Sequence, residues 1–163
     1  MNALIDATPR IVLIGLGATA IMDIWLLLLN ALGVPTLNFA LIGRWAGHWR
    51  RGIWAHEAIA KAPPVRGELA LGWAVHYAVG TGYAALAIAL FGTHWLRSPN
   101  LLPALAVGIA TVAAPWFVMQ PAMGAGIAAS RTPTPGRNRV RSLVNHTVFG
   151  AGLFIAAHAV ARI

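Results

Sequence analysis

The sequence contains no cysteine and few charged residues. Without cysteine, disulfides, thiolate metal sites, iron–sulfur clusters and cysteine nucleophiles are excluded together. Charged residues make up 10% of the 163 residues, against about 25% in a soluble globular domain. Hydrophobic residues make up 58%, and the mean hydropathy is +0.69. Water is therefore not the main solvent, and we expect a single transmembrane domain over residues 1–163.

Acidic side chains are especially scarce, with four Asp and Glu against twelve Lys and Arg, for a formal charge of +8. Nucleic-acid-binding proteins also carry a basic surplus, but they carry it on a folded soluble face. Here the basic residues fall between long apolar runs. We therefore predict that these Lys and Arg residues flank membrane-spanning helices and set their orientation in a lipid bilayer. We expect no nucleic-acid partner.

Four apolar stretches approach or exceed the roughly 20 residues that a helix needs to cross a membrane. They cover about residues 11–32, 67–91, 101–119 and 142–160. The first is too long for a secretory signal, contains Asp23 and has no small-residue cleavage site after it. The fold prediction is an all-α polytopic integral membrane protein with four transmembrane helices.

Basic residues concentrate in the segments that join span one to span two and span three to span four. These two segments share one side of the membrane and hold nine of the twelve Lys and Arg. Cytoplasmic loops are enriched in Lys and Arg. Both segments are thus predicted to be cytoplasmic, with both termini outside.

The segment between spans one and two carries Trp45, Trp49 and Trp54 among basic residues. This mixture is typical of chain lying at the lipid headgroups, so we predict an interfacial amphipathic segment with one or two short helices. The later stretch "SRTPTPGRNR" is predicted as a turn.

Span three contains Pro115 and Pro121, and each removes a helical hydrogen-bond donor. Backbone groups freed in this way are tolerated in a membrane only where protein or water satisfies them. The stretch "PWFVMQPAMGAG" therefore predicts a kinked or broken helix end with Gln120 facing protein. A simple proline kink without function is the alternative.

Each span brings a polar residue to the predicted cytoplasmic half of the membrane. With a helical rise of about 1.5 Å per residue, Asp23 and His76 should lie level, each roughly 14 Å from a cytoplasmic helix end. His146 lies about 8 Å inside span four, Glu68 at the mouth of span two and Gln120 near the end of span three. A charged carboxylate at this depth costs about 2.5–3.5 kcal/mol, so Asp23 should be protonated, paired or bound to a cation.

These polar residues suggest a site for a divalent transition metal, since oxygen and imidazole ligands suit such ions. The candidate ligands are Asp23, Glu68, His76 and His146, with His48 and His56 closing the site from the cytoplasm; Gln120 and Trp45 are candidate substrate contacts. No two ligands share a helix at metal-binding spacing, so interhelical hydrogen bonds remain an alternative. The spacings of His94 and His158 from the other histidines argue against bis-histidine haem.

Several motifs together resemble one known family. They are "GATAIMDIW", "LNFALIGRWAGH", "PVRGELALGWAVHYAVG", "TVAAPWFVMQPAMGAGIAASRTPTP" and "RSLVNHTVFGAGL". The chain is similar here to the bacterial integral-membrane family catalogued as domain-of-unknown-function family 2938. The resemblance implies a small multi-pass protein of the bacterial inner membrane, with a signature built around Asp23, His48, His56, Glu68, His76, Gln120 and His146. It implies no particular reaction or substrate.

The leading functional hypothesis is a cytoplasm-facing polar site that binds a cation or small polar solute, for transport or metal-assisted chemistry. Four spans are few for an alternating-access transporter, so a homodimer is one option. A second hypothesis is an accessory or scaffold subunit of a larger membrane complex. A third is an enzyme acting on a lipid or isoprenoid near Trp45 and Trp49. Whether the chain is an enzyme stays open at this stage.

Overall fold

A computed structural model of the chain describes residues 2–162, with side chains from Ala7 onward. Met1 and Ile163, the ends of the predicted single domain, lie outside the described residues. Within residues 2–162 the regular secondary structure is entirely helical. The α-helices are α1 (Asn2–Ala31), α2 (Phe39–His48), α3 (Glu68–Phe91), α4 (Leu101–Ala110), α5 (Gln120–Ala122) and α6 (Pro135–Val160). Single turns of 3₁₀-helix lie at Trp49–Arg51, Ile59–Lys61, Thr93–Leu96 and Ile127–Ala129, and a π-helical turn lies at Pro115–Met119.

Four helical stretches are long and apolar enough to cross a membrane. They are Ala7–Ala31, Glu68–Phe91, Leu101–Ala122 and Pro135–Val160. A helix of 24 residues rises about 36 Å, more than the roughly 30 Å of a bilayer's hydrocarbon core. The predicted all-α fold with four such helices is confirmed.

The fourth of these helices begins earlier than predicted, at Pro135 and not near residue 142. Proline suits the first helical position because its φ angle is fixed near the helical value and its missing N–H needs no partner there. The Asn138 N–H donates to the Thr134 carbonyl at 3.1 Å and so closes the first turn. The turn predicted for "SRTPTPGRNR" is therefore limited to its first half.

The third span is broken, as Pro115 and Pro121 predicted. Helix α4 ends at Ala110, and the π turn follows at Pro115–Met119. The Gln120 N–H donates to the carbonyl of Pro115, five residues earlier, where an α-helix would bond four residues back. Single π turns inside helices occur frequently at functional sites.

One compact unit, unit 1, consists of residues 2–35, 77–111 and 144–162 within the described chain. About half of its buried core residues are alanines, including Ala18, Ala84, Ala104 and Ala157, and Leu153 is fully buried among them. Small residues let helix backbones approach closely, which drives association where lipid offers no hydrophobic force.

Two glycine contacts in unit 1 show this close approach. A Cβ atom on Gly15 of α1 would overlap the Thr81 backbone of α3, and one on Gly108 of α4 would overlap Gly150 of α6. Gly15 of span one therefore lies at a helix contact.

The second compact unit, unit 2, consists of residues 36–76 and 112–143. Helix α2 and the two 3₁₀ turns after it supply the short helices predicted between spans one and two. The segment from His56 to Ile59 then runs beside α5, because the His56 N–H donates to the Ala122 carbonyl at 2.8 Å and the Ile59 N–H to the Met123 carbonyl at 3.1 Å.

Candidate functional site

The start of unit 2 is held together by an ion pair between Arg44 of α2 and Glu68, the first residue of α3. Arg44 Nε donates to Glu68 Oε2 at 2.9 Å, and Nη2 donates to Oε1 at 2.8 Å. Nη1 donates to the carbonyls of Ala62 at 3.1 Å and Ala60 at 3.3 Å. The Val65 N–H also donates to Glu68 Oε2, at 2.9 Å. We call this set of bonds the Arg44 clamp.

Two glycines allow α2 to lie directly on the first turns of α3. A Cβ on Gly43 would overlap the Glu68 carbonyl oxygen, and a Cβ on Gly72 would overlap the Phe39 carbonyl oxygen. The helix backbones are therefore in contact at two levels. Although the two residues lie 24 positions apart in the sequence, this contact between the helices brings Arg44 within reach of Glu68.

The hydrogen bond to Glu68 is the main cause that raises the pKa of Arg44 above the ordinary value for arginine, while partial desolvation opposes it. A raised pKa for a basic group adds stability that is present below the unfolded-state pKa and lost as pH rises through the folded-state pKa. That window lies above the ordinary pKa of arginine, far outside the physiological range. Arg44 thus stays charged, and its own titration gives the clamp no pH dependence in the physiological range.

The two histidines predicted to close the site lie side by side. His48 Nδ1 is 2.7 Å from His56 Nε2, and their ring centroids are 4.9 Å apart. His48 is 2% exposed. At this distance one nitrogen donates a hydrogen bond and the other accepts it.

Three tryptophans form a stack next to this pair in the sequence. Trp45 meets Trp49 edge-on at 4.8 Å between ring centroids, and Trp49 stacks with Trp54 at 5.5 Å. Trp45 Nε1 donates to the Trp54 carbonyl at 2.8 Å. The indole N–H of Trp45, a predicted substrate contact, is therefore used within the protein, and only its ring remains for that role.

Buried polar atoms without hydrogen-bond partners are concentrated in unit 2. Among the described side chains there are four such atoms: Trp49 Nε1, His56 Nδ1, Trp116 Nε1 and Gln120 Oε1. All four belong to unit 2. Nearly all buried polar groups in proteins are hydrogen-bonded, so each exception needs a physical explanation. We call these atoms the four unpartnered atoms.

The four unpartnered atoms are carried by two neighbouring segments of unit 2. Trp116 and Gln120 are four residues apart around the π turn, so they lie on a similar face of the third span. His56 is tied to α5 by its backbone bond to Ala122, and it also contacts His48, the neighbour of Trp49. The chain that follows the π turn and the segment between spans one and two are therefore joined by backbone hydrogen bonds, and we call these two segments the polar region of unit 2.

In unit 1, the predicted ligand Asp23 accepts a hydrogen bond from the Tyr77 hydroxyl, at 2.8 Å between the two oxygens. Such a bond is one way to stabilise a carboxylate within a membrane-spanning helix. Nothing in the sequence marked Tyr77 as this donor.

The other predicted ligand in unit 1, His146, lies within hydrogen-bond distance of two oxygens of α4 and its C-terminal end. The Thr111 hydroxyl donates to the Gly108 carbonyl at 2.6 Å. His146 Nδ1 lies 3.0 Å from the Thr111 hydroxyl oxygen and 3.3 Å from the Gly108 carbonyl oxygen. With the hydroxyl proton used in this bond, the tautomer that suits both oxygens has its hydrogen on Nδ1 and the lone pair on Nε2. A backbone-bonded N–H of this kind is typical of metal-ligating histidines.

The remaining predicted ligand, His76, lies in unit 2 against two aromatic rings. Its ring centroid is 4.7 Å from that of Phe39 and 5.9 Å from that of Trp73. The predicted level arrangement of Asp23 and His76 stays a prediction.

Of the six predicted metal ligands, the structure brings His48 and His56 into contact. Among the described side chains, no three His, Asp or Glu residues form a group able to hold a metal ion. Both oxygens of Glu68 are engaged by the Arg44 clamp. A tetrahedral zinc ion with bonds of about 2.0–2.1 Å would separate two ligand nitrogens by roughly 3.3 Å, so the 2.7 Å pair would have to open. The metal site stays a prediction, with this pair as its best-placed part.

Comparison with known families places the chain in one of them. Residues 12–160 match the family described as Protein of unknown function (DUF2938). The chain belongs to this family. No curated protein and no solved structure matches it. Membership of DUF2938 agrees with the resemblance drawn from the motifs and assigns no reaction, so the function must be argued from the polar region of unit 2.

Proposed function

We propose that this protein binds a small polar solute in unit 2, at the region of the four unpartnered atoms. These four atoms are the observation that carries the proposal. They are carried by the π turn, by Gln120 directly after it and by the segment between spans one and two, and backbone hydrogen bonds join this segment to the chain after the π turn. A solute with hydrogen-bonding groups would supply the partners that the protein itself does not.

The energetic argument rests on what these atoms cost. Each buried donor or acceptor without a partner destabilises the folded state by about 1–3 kcal/mol. Without any partner, four such atoms would cost roughly 4–12 kcal/mol, comparable to the whole stability of about 5–15 kcal/mol of a typical protein. A polar group retained at such a cost is better explained by a ligand than by folding, because an apolar residue of similar shape would be neutral or stabilising.

The location of the site is part of the same proposal. We place the chain in the bacterial inner membrane with both termini on the periplasmic side, and unit 2 carries the two basic segments that the positive-inside rule assigns to the cytoplasm. The solute would therefore be taken from the cytoplasmic side, for transport or for chemistry.

A scaffold role is the second candidate, and specific contacts favour it. The Arg44 clamp, the Asp23–Tyr77 bond and the His146–Thr111 bond each use a polar group inside the protein. Bonds of this kind would fix helix register in a subunit that has no chemistry of its own.

A thermal-unfolding screen of the full chain in lipid nanodiscs separates the two candidates. The probes are amino acids, carboxylates, inorganic phosphate, sugars and divalent transition metals, each added alone. A ligand that binds the folded state at 100 times its Kd stabilises it by about 2.7 kcal/mol. We expect at least one probe to raise the unfolding midpoint of the wild type and to leave that of Gln120→Leu unchanged.

The matched control is Asn145→Leu, which removes an amide that is already bonded to Trp25 Nε1 at 3.0 Å in unit 1. This variant should be destabilised and should still respond to the same probe. If no probe shifts the wild type while the protein co-purifies with a stoichiometric membrane partner, the scaffold role replaces solute binding.

A further inference from the structure

Unit 2 differs sharply from unit 1 in charge. Residues 36–76 and 112–143 contain nine Arg and Lys against two Glu, a formal charge of +7. The rest of the chain carries the remaining +1 of the total +8. Arg44 is neutralised by Glu68 within the clamp, which leaves Glu57 as the one uncompensated acidic group among the described residues of unit 2. A summed potential of one sign raises the local concentration of ions of the opposite sign.

The four unpartnered atoms also favour one kind of ligand atom. The indole nitrogens of Trp49 and Trp116 are donors only. His56 Nδ1 is a donor whenever its Nε2 accepts from His48, and also when the ring is protonated. The fourth atom, Gln120 Oε1, is an acceptor. Three of the four atoms are therefore donors, and a ligand that satisfies them is rich in acceptors.

From charge and donors together, we propose that the solute is a small oxyanion, with a phosphate or carboxylate group accepting from these side chains. This inference rests on the proposed function and names its ligand class. Charge-assisted bonds from N–H donors to such groups are about twice as strong as neutral ones. The same chemistry is offered by a free anion and by the headgroup of an acidic lipid.

An open surface depression of about 490 Å³ adjoins the proposed site and gives the proposal its sharpest test. His56, Glu57, Ala58, Lys61 and Ala62 line it. His56 thus carries one of the unpartnered atoms on one side and borders the depression on the other. Glu57 and Lys61 are both exposed and have opposite charge. An anion at this place is repelled by Glu57 and attracted by Lys61.

The experiment is isothermal titration calorimetry of the full chain in phosphatidylcholine nanodiscs. The probes are inorganic phosphate, succinate and succinamide, the last of which keeps the shape of succinate without its charge. We expect saturable binding of phosphate or succinate, and none of succinamide. Lys61→Gln should weaken anion binding roughly two- to fivefold, and Glu57→Gln should strengthen it by a similar factor, since exposed charge pairs contribute about 0.2–1 kcal/mol.

A second arm identifies the source of the anion. If the soluble anions do not bind, the unfolding midpoint is measured with and without phosphatidylglycerol in the nanodisc. Stabilisation by phosphatidylglycerol that falls in Lys61→Gln and rises in Glu57→Gln identifies a lipid headgroup as the oxyanion.

Two results overturn the oxyanion. One is that succinamide binds as tightly as succinate and that Lys61→Gln and Glu57→Gln bind with wild-type affinity. This result would leave the proposal of solute binding intact but would make the ligand neutral. The other is no response to soluble anions or to phosphatidylglycerol. If the thermal-unfolding screen then finds a different ligand whose effect depends on Gln120, the proposed solute binding survives. If the screen finds no ligand, the proposed solute binding and the oxyanion proposal both fail.

Discussion

Replacing Arg44 by Met should destabilise the protein and loosen the chain around the second 3₁₀ turn, Ile59–Lys61. The substitution keeps a long side chain but removes the two bonds to Glu68 and those to the carbonyls of Ala60 and Ala62. Glu68 then keeps a negative charge with only the Val65 N–H as partner. The stranded charge, more than the lost bonds, sets the cost.

The expected size follows from the exposure of the pair. Removing one partner of a fully buried ion pair costs about 3–5 kcal/mol, whereas a fully exposed pair contributes about 0–1 kcal/mol. The side chains of Arg44 and Glu68 are 14% and 17% exposed, close to the buried limit. We therefore expect a loss of about 2–4 kcal/mol for Arg44→Met.

The assay is equilibrium unfolding in detergent micelles followed by circular dichroism, together with tryptic cleavage after Lys61. Cleavage should accelerate in Arg44→Met because the clamp no longer holds the adjoining carbonyls. Arg51→Met is the matched control, since Arg51 is exposed on the next turn, and it should change stability by no more than about 0.5 kcal/mol. Wild-type stability and wild-type cleavage in Arg44→Met would refute the clamp.

Two further pairs of variants test the packing and the unpartnered atoms. In α3, Gly80→Ala should destabilise the protein because the new Cβ would overlap the Thr19 hydroxyl. The new Cβ of Gly82→Ala meets no neighbouring atom, so this variant should be as stable as the wild type or up to about 1 kcal/mol more stable by thermal unfolding. In the tryptophan stack, Trp45→Phe loses a 2.8 Å hydrogen bond and should be destabilising. Trp49→Phe removes a buried N–H that has no partner, so it should cost less stability. A larger loss of stability for Trp49→Phe in the same measurement would contradict the absence of a partner for Trp49 Nε1.

Much of the fold could be predicted from the sequence because its causes are local. Apolar length alone predicts four spans, and a proline without an N–H predicts the break in the third one. The start of α6 was predicted seven residues too late, because residues 135–141 are polar and do not continue the apolar run. A polar first turn outside the apolar stretch leaves no trace in hydropathy.

The candidate site was less accessible to sequence reasoning. Glu68, His48 and His56 were recognised as important, but their partners depend on which segments the fold brings together. Nothing in the sequence selects Arg44 as the partner of Glu68, since eight other basic residues lie in the same two segments. The contact of α2 with α3 through Gly43 decides it.

Gln120 was predicted to face protein, and its buried amide oxygen agrees with this. Trp116, four residues earlier, was missed. Its position could have been inferred from the sequence, because residues four apart share a helix face and Trp116 lies four residues before Gln120.

The central claim is that the four unpartnered atoms serve a ligand and not the fold. It is tested most directly by the stability of Gln120→Leu in the absence of any added solute, measured by equilibrium unfolding beside the wild type. Because the Gln120 amide oxygen has no partner inside the protein, we predict a stability equal to or above that of the wild type. A loss of about 2 kcal/mol or more would show that this oxygen is already satisfied in the folded protein, and would contradict the account.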